Sequence, residues 1–235
     1  MKDELGQRMK AFYEDALRVS LPRQTYVVIR IDGKNFHTFT AKLPRPYCRP
    51  LADALDAAAL HLGSLIPGFC LAYGQSDEYS LLFTDFHTPM WFDGNVQKIV
   101  SVAASVFTGS FLHSFVREGL TAPPVAAFDA RVLVVAQRDE VKKYFLWRQL
   151  DAAANSLNML ASAHYSHEEL LGKSEQAKHD LLHAKGVNWA KEPADFKRGR
   201  VVRRVDGAWA VDPAPAIFQR QPAYLDALIP GTSRN

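Results

Sequence analysis

Apolar residues first recur at helical spacing over residues 3–19, where Leu5, Met9, Phe12, Tyr13, Ala16 and Leu17 share a face until Leu21-Pro22 ends the pattern. The period then changes. Tyr26-Val27-Val28-Ile29-Arg30-Ile31 is short and rich in β-branched residues, which predicts a strand. A stripe of Leu51, Ala54, Leu55, Ala58, Ala59 and Leu62 predicts a helix over 50–62, stopped by Gly63. Two apolar runs, 69–73 and 79–83, flank the polar Gly74-Gln75-Ser76-Asp77-Glu78 closely enough to pair as an antiparallel hairpin. Ile99, Val102, Ala103, Val106, Phe107, Phe111 and Phe115 predict an inward helical face over 95–117. Pro123-Pro124 breaks the chain, and 128–136 follows as a strand.

Strand, helix, strand, strand, helix, strand is the order of a split βαβ, ferredoxin-like sheet, the topology of many polymerase and cyclase palms. The expected class is therefore α+β, with a palm-like catalytic core over 1–137 and a C-terminal extension over 138–235 packed on it as one unit. That extension predicts a helix over 139–164 and another over 166–184, with Ser166 as N-cap and Glu169 in capping-box register. A basic, hairpin-like segment, Lys197-Arg198-Gly199-Arg200-Val201-Val202-Arg203-Arg204, and a Pro-rich tail complete it.

Composition narrows the class without naming a function. With 235 residues, 48% hydrophobic and 23% charged, the chain reads as an ordinary globular protein, and a net charge of +3 says little about a nucleic-acid partner. Cys48 and Cys70 make neither a metal-ligand spacing nor a disulfide framework, so a reducing compartment is expected. The charged start Met1-Lys2-Asp3-Glu4 lacks a signal-peptide apolar region, and no run approaches the ~18 apolar residues of a membrane span. The expectation is a cytoplasmic protein with no membrane partner.

Two acidic motifs carry the candidate chemistry. Arg30-Ile31-Asp32-Gly33-Lys34-Asn35-Phe36-His37 puts Asp32 where a strand ends. Gly33 permits a sharp positive-φ turn, and the backbone N–H groups of Lys34 to His37 could face an anion such as a triphosphate. The second motif, Gly74-Gln75-Ser76-Asp77-Glu78, puts Asp77 and Glu78 at a hairpin tip. Alone, each motif is equally an ordinary turn or a solvated acidic pair. Brought to one sheet edge, the carboxylates could share two Mg²⁺ ions, which take oxygen ligands and can activate a hydroxyl and stabilise leaving pyrophosphate. The basic segment reads as a solvated strand or as an edge for an RNA backbone. Arg131 and Lys98 are surface charges or phosphate ligands, and His37 is a phosphate donor or a packing residue.

Together with Phe128-Asp129-Ala130-Arg131-Val132 and Trp147-Arg148-Gln149, these motifs resemble the tRNA-His guanylyltransferase superfamily of 3′-to-5′ polymerases. The resemblance implies that Asp32, the Gly33 carbonyl and Asp77 hold two Mg²⁺, with Glu78 beside them. It also implies that Lys34, Asn35, Phe36 and His37, with Ser76 and Arg45, hold an incoming GTP or ATP. Arg30, Lys98, Arg131, Arg148 and Asn155 would then serve the RNA 5′ end, and the partners would be tRNA and further copies of the chain in a homotetramer.

One departure refines this. Where eukaryotic members carry His-Ile-Asn-Asn, this chain has Ala153-Ala154-Asn155-Ser156, and so looks more like the bacterial and archaeal Thg1-like proteins. For those the family implies template-dependent repair of truncated tRNA 5′ ends rather than non-templated addition of a guanosine. The rival readings are a nucleotide cyclase on a similar palm and a non-catalytic RNA-binding module.

Overall fold

The protein, described here from a computed structural model, is defined over residues 2–121 and 126–232. The predicted break at Pro123-Pro124 lies outside the described residues. α1 (Lys2–Met9) continues through a π turn (Lys10–Glu14) and a 3-10 turn (Asp15–Leu17) before β1 (Tyr26–Gly33). The one-turn α2 (Phe36–Phe39) and the long α3 (Arg49–Leu65) lead to a hairpin of β2 (Phe69–Gln75) and β3 (Glu78–Thr84). α4 (Val96–Arg117) returns the chain to β4 (Phe128–Val135). After α5 (Arg138–His164), α6 (His167–Leu170), α7 (Glu175–Ala184) and α8 (Ala194–Arg198) come a second hairpin, β5 (Arg200–Val205) and β6 (Ala208–Asp212), and α9 (Ala223–Leu228).

The strands form one antiparallel sheet in the order β4-β1-β3-β2-β5-β6. β1 is a nearly unbroken apolar run because both of its faces are covered, and side chains alternate between them. Val27, Ile29 and Ile31 enter a core under α3 and α4 with Leu55, Phe107 and Phe111. Tyr26 and Val28 enter a second core under α5 with Phe145, Phe218 and Leu225. Arg30 and Asp32 share the parity of Tyr26 and Val28, so both belong to the α5 face.

Several expectations change in the structure. The N-terminal stripe packs on nothing in this chain among the described residues: Phe12, Tyr13 and Leu17 are each about 70% exposed. Residues 166–184 form two helices because Gly172 takes a φ of 70°, outside helical space, although Ser166 and Glu169 do form the predicted capping box. The basic segment is divided. Lys197 and Arg198 end α8, Arg200 is buried, Arg203 pairs with Asp212 at 3.0 Å, and Arg204 alone of the β5 arginines stays exposed. α4 is, by length and hydropathy, apolar enough to cross a membrane, contrary to the reading of the sequence; Ile99, Ala103, Phe107, Phe111 and Phe115 are buried in the core of the protein.

Candidate active site

The register of β1 on β3 runs to Ile31↔Tyr79, and its continuation sets Asp32 against Glu78 and Gly33 against Asp77. The β2–β3 turn is tight: Gln75 pairs with Glu78, and Ser76, at φ 49°, takes the positive φ that a two-residue hairpin needs. Asp77 is thereby held at the end of β1. Its Oδ1 accepts a hydrogen bond from the Ser76 hydroxyl at 2.9 Å. Burial pushes the Asp77 carboxyl above its ordinary range, and the charge of Asp32 adds to the shift against hydrogen bonds from Ser76 and the Asp77 backbone. Among the described residues neither aspartate makes an ion pair.

That arrangement fits a hard divalent cation. Two neighbouring carboxylates without a cationic partner, one of them desolvated, and a strand-end carbonyl are the kind of oxygen donors that Mg²⁺ takes. Among the described residues no three His, Cys, Asp or Glu side chains converge. The coordination would therefore be completed by water and substrate phosphate, as is usual for this ion.

The predicted positive-φ turn falls at Asn35 (φ 54°), not at Gly33. Gly33 is needed for space. A Cβ there would lie 2.7 Å from Asp77 Oδ2 and closer still to the ring of Phe36. Gly33→Ala is expected to destabilise the fold by about 1–3 kcal/mol, the usual cost of overpacking, read as a lower urea midpoint.

Glu78 plays a different part from the aspartates. It is buried, with Oε1 accepting from Arg148 Nε at 2.7 Å and Oε2 from Arg148 Nη2 at 3.0 Å, and Arg30 Nη2 lies 2.6 Å from Oε2. Burial raises its carboxyl, and the two guanidiniums pull it back. Arg148 also donates to Asp151 at 2.6 Å, and Asp151 accepts from Asn155 and Gln75. Arg148 is thus an enclosed tie between β3 and α5 rather than an open phosphate ligand. Asp151 and Gln75 were not singled out in the sequence, although Arg148, Asp151 and Asn155 follow an i, i+3, i+7 helical spacing that would have paired them.

Asp77 opens onto a cleft of about 420 Å³ between α3, the hairpin tip and α5. Phe36, His37, Arg45, Ser76, Asp77 and Asn155 line it. The anion cradle is smaller than expected, because the Lys34 N–H donates to the Ala127 carbonyl at 2.8 Å. Among the described residues the N–H groups of Asn35, Phe36 and His37 have no backbone acceptor. Arg131 stands opposite Arg30 on β4 and is exposed, with its Nε donating to Asp129. Lys98 does not join the site. It sits in the first turn of α4, whereas Phe111, which touches Phe36 and Phe128 beside the aspartates, lies about 20 Å further along that helix at 1.5 Å per residue.

The family model for Thg1, tRNA(His) guanylyltransferase, matches residues 6–136. The tRNA(His) guanylyltransferase of Neurospora crassa is 33% identical over 202 residues, 79% of this chain and 68% of that one. A bacterial tRNA(His) guanylyltransferase (Thg1)-like protein in complex with ATP is 38% identical, covers 96% of this chain and 99% of its own, and superposes with a TM-score of 0.90. A bacterial tRNA(His) guanylyltransferase (Thg1)-like protein in complex with GTP is 35% identical, covers 95% of this chain and 98% of its own, and superposes with a TM-score of 0.80.

Proposed function

The chain belongs to the tRNA(His) guanylyltransferase (Thg1) family of nucleotidyltransferases, and from that premise we propose that it adds nucleotides 3′-to-5′ to the 5′ end of truncated tRNA, directed by the pairing strand. The observation that carries the reading is the Asp32–Asp77 pair, without a cationic partner among the described residues, with Asp77 lining the cleft. The strand order β4-β1-β3-β2 supports reading residues 1–137 as a ferredoxin-like palm.

In the reaction, the 3′-hydroxyl of a nucleoside triphosphate attacks the α-phosphorus of the RNA 5′ end. Pyrophosphate leaves from a 5′-triphosphate end, or AMP from a 5′-adenylylated one. Two Mg²⁺ ions at Asp32, Asp77 and the Gly33 carbonyl would lower the pKa of the attacking hydroxyl and neutralise the phosphates. The chain's own groups position the reactants. The N–H groups of Asn35, Phe36 and His37, with Ser76 and Arg45, face the triphosphate of a GTP or ATP whose nucleoside occupies the cleft. Arg131, exposed on β4 opposite Arg30, faces the RNA 5′ phosphates, and Arg30 backs it from β1. Lys98 contributes only if a homotetramer brings it from another copy.

Templated repair is favoured over non-templated guanosine addition because Ala153-Ala154-Asn155-Ser156 stands where the eukaryotic members carry His-Ile-Asn-Asn, on the stretch of α5 whose Asn155 and Ser156 line the cleft. Base choice then falls to the opposing strand. The test is incorporation of each labelled nucleotide into 5′-triphosphorylated, 5′-truncated tRNAs that differ in the opposing base. Addition that follows the template is expected. Guanosine addition regardless of template would overturn templating, cyclic mononucleotide made without RNA would indicate a cyclase, and RNA binding without incorporation would indicate a binding module.

A further inference from the structure

Trp147 is 52% exposed on a helix whose other large aromatics are covered, and its indole is nevertheless held in place. The Arg148 guanidinium lies over one face, 4.2 Å from the ring centroid, and that guanidinium is itself fixed by its fork on Glu78. Tyr144 meets the ring edge-on at 5.8 Å and is anchored through its hydroxyl to Ser80 at 2.8 Å. A solvated tryptophan on a helix ordinarily loses little by rotating. This one has an arginine on its inner face and an aromatic edge beside it, which leaves its outer face to solvent.

Its direction follows from the opposite flank of α5. There Gln149 donates to the Ala216 carbonyl and accepts from the Phe218 N–H, over β2, where Phe218 packs on Tyr73. Trp147 therefore overhangs β1 and β4, the part of the sheet that α5 leaves open. On that floor Arg131 is 61% exposed opposite Arg30, with Asp32 one pair further along. A flat apolar face above an exposed arginine, Arg131, is a composition that binds single nucleotides of RNA, the base on the indole and the phosphate on the guanidinium.

We propose that Trp147 is the platform on which the 5′-terminal base of the RNA stacks, a positioning residue that sets the 5′ phosphorus over Asp32 and Asp77. The inference rests on the 5′-end reading above, and its test separates the two. Wild type, Trp147→Ala and Trp147→Phe are compared for ATP binding without RNA, for kcat and KM with 5′-truncated tRNA, and for quenching of 2-aminopurine placed at the RNA 5′ terminus.

Expected for Trp147→Ala is unchanged ATP binding, loss of the quenching and a KM for RNA raised about tenfold, the scale of one base–aromatic stack. Trp147→Phe should keep most of both signals. Unchanged KM and quenching in Trp147→Ala, with wild type active, would overturn the platform and leave the function standing. A change of oligomeric state by light scattering would overturn it too, by making this face a contact between copies. Quenching by a wild type that adds no nucleotide would support the platform and sink the polymerase reading.

Discussion

Asp77→Asn is expected to reduce nucleotide addition by on the order of 10³-fold or more, because it removes one of the two carboxylates that would hold the Mg²⁺ ions against the phosphates. Its effect on stability should have the opposite sign. Burial and the charge of Asp32 raise the Asp77 carboxyl, so its ionised form is less favourable in the folded chain than in the unfolded one. That cost is present at neutral pH and relieved as pH falls through the raised folded value. Without divalent cation, Asp77→Asn should therefore melt at the same temperature as wild type or higher. Mg²⁺ should raise the melting temperature of wild type more than that of the variant, since a ligand stabilises the state it binds. Retained activity, or equal Mg²⁺ stabilisation of both, would remove Asp77 from the metal site.

Arg200→Met is expected to cost about 3–5 kcal/mol of folding stability, the usual penalty for leaving a buried charge without its partner. Arg200 opens β5 opposite Gly74, and it is buried with Asp56 of α3 and Tyr79 of β3. Its Nε donates to Asp56 Oδ1 at 2.8 Å and its Nη2 to the Tyr79 hydroxyl at 2.8 Å, while the Tyr79 hydroxyl donates to Asp56. The triad ties the second hairpin to the sheet, and Arg200 itself forms part of the cleft wall. Because the loss comes from the uncompensated Asp56, Asp56→Leu combined with Arg200→Met should recover much of it. Urea unfolding of the two single variants and the double variant measures the coupling. A double variant as unstable as the sum of the singles would show that the charges act independently.

Elements with a strong period were legible. The stripes of α3 and α4 and the short apolar runs of β1, β2 and β3 give their own structure away, since each must bury its apolar surface. The capping box at Ser166 was legible for a similar reason, as its partners lie three residues apart. The N-terminal stripe was not. A periodic apolar face announces a helix, but not whether the rest of the chain packs on it, and here Phe12, Tyr13 and Leu17 stay exposed.

The sequence by itself determined the core elements from β1 to β4 and their order, and set Asp32 and Asp77 beside strand ends, because each of these depends on residues close along the chain. Only the tertiary structure decided which charges are free to act. Glu78 and Asp77 are adjacent in sequence, yet strand alternation turns Glu78 into a cage of Arg30 and Arg148 and leaves Asp77 at the cleft. Arg200 and Arg204 look alike in a basic run, yet register sends one into the core against Asp56 and the other into solvent. Lys98 lies at the far end of a helix whose other end reaches the site. Burial and pairing are set by partners distant along the chain, 70 residues for Glu78 and Arg148 and 144 for Asp56 and Arg200, and no local pattern carries that information.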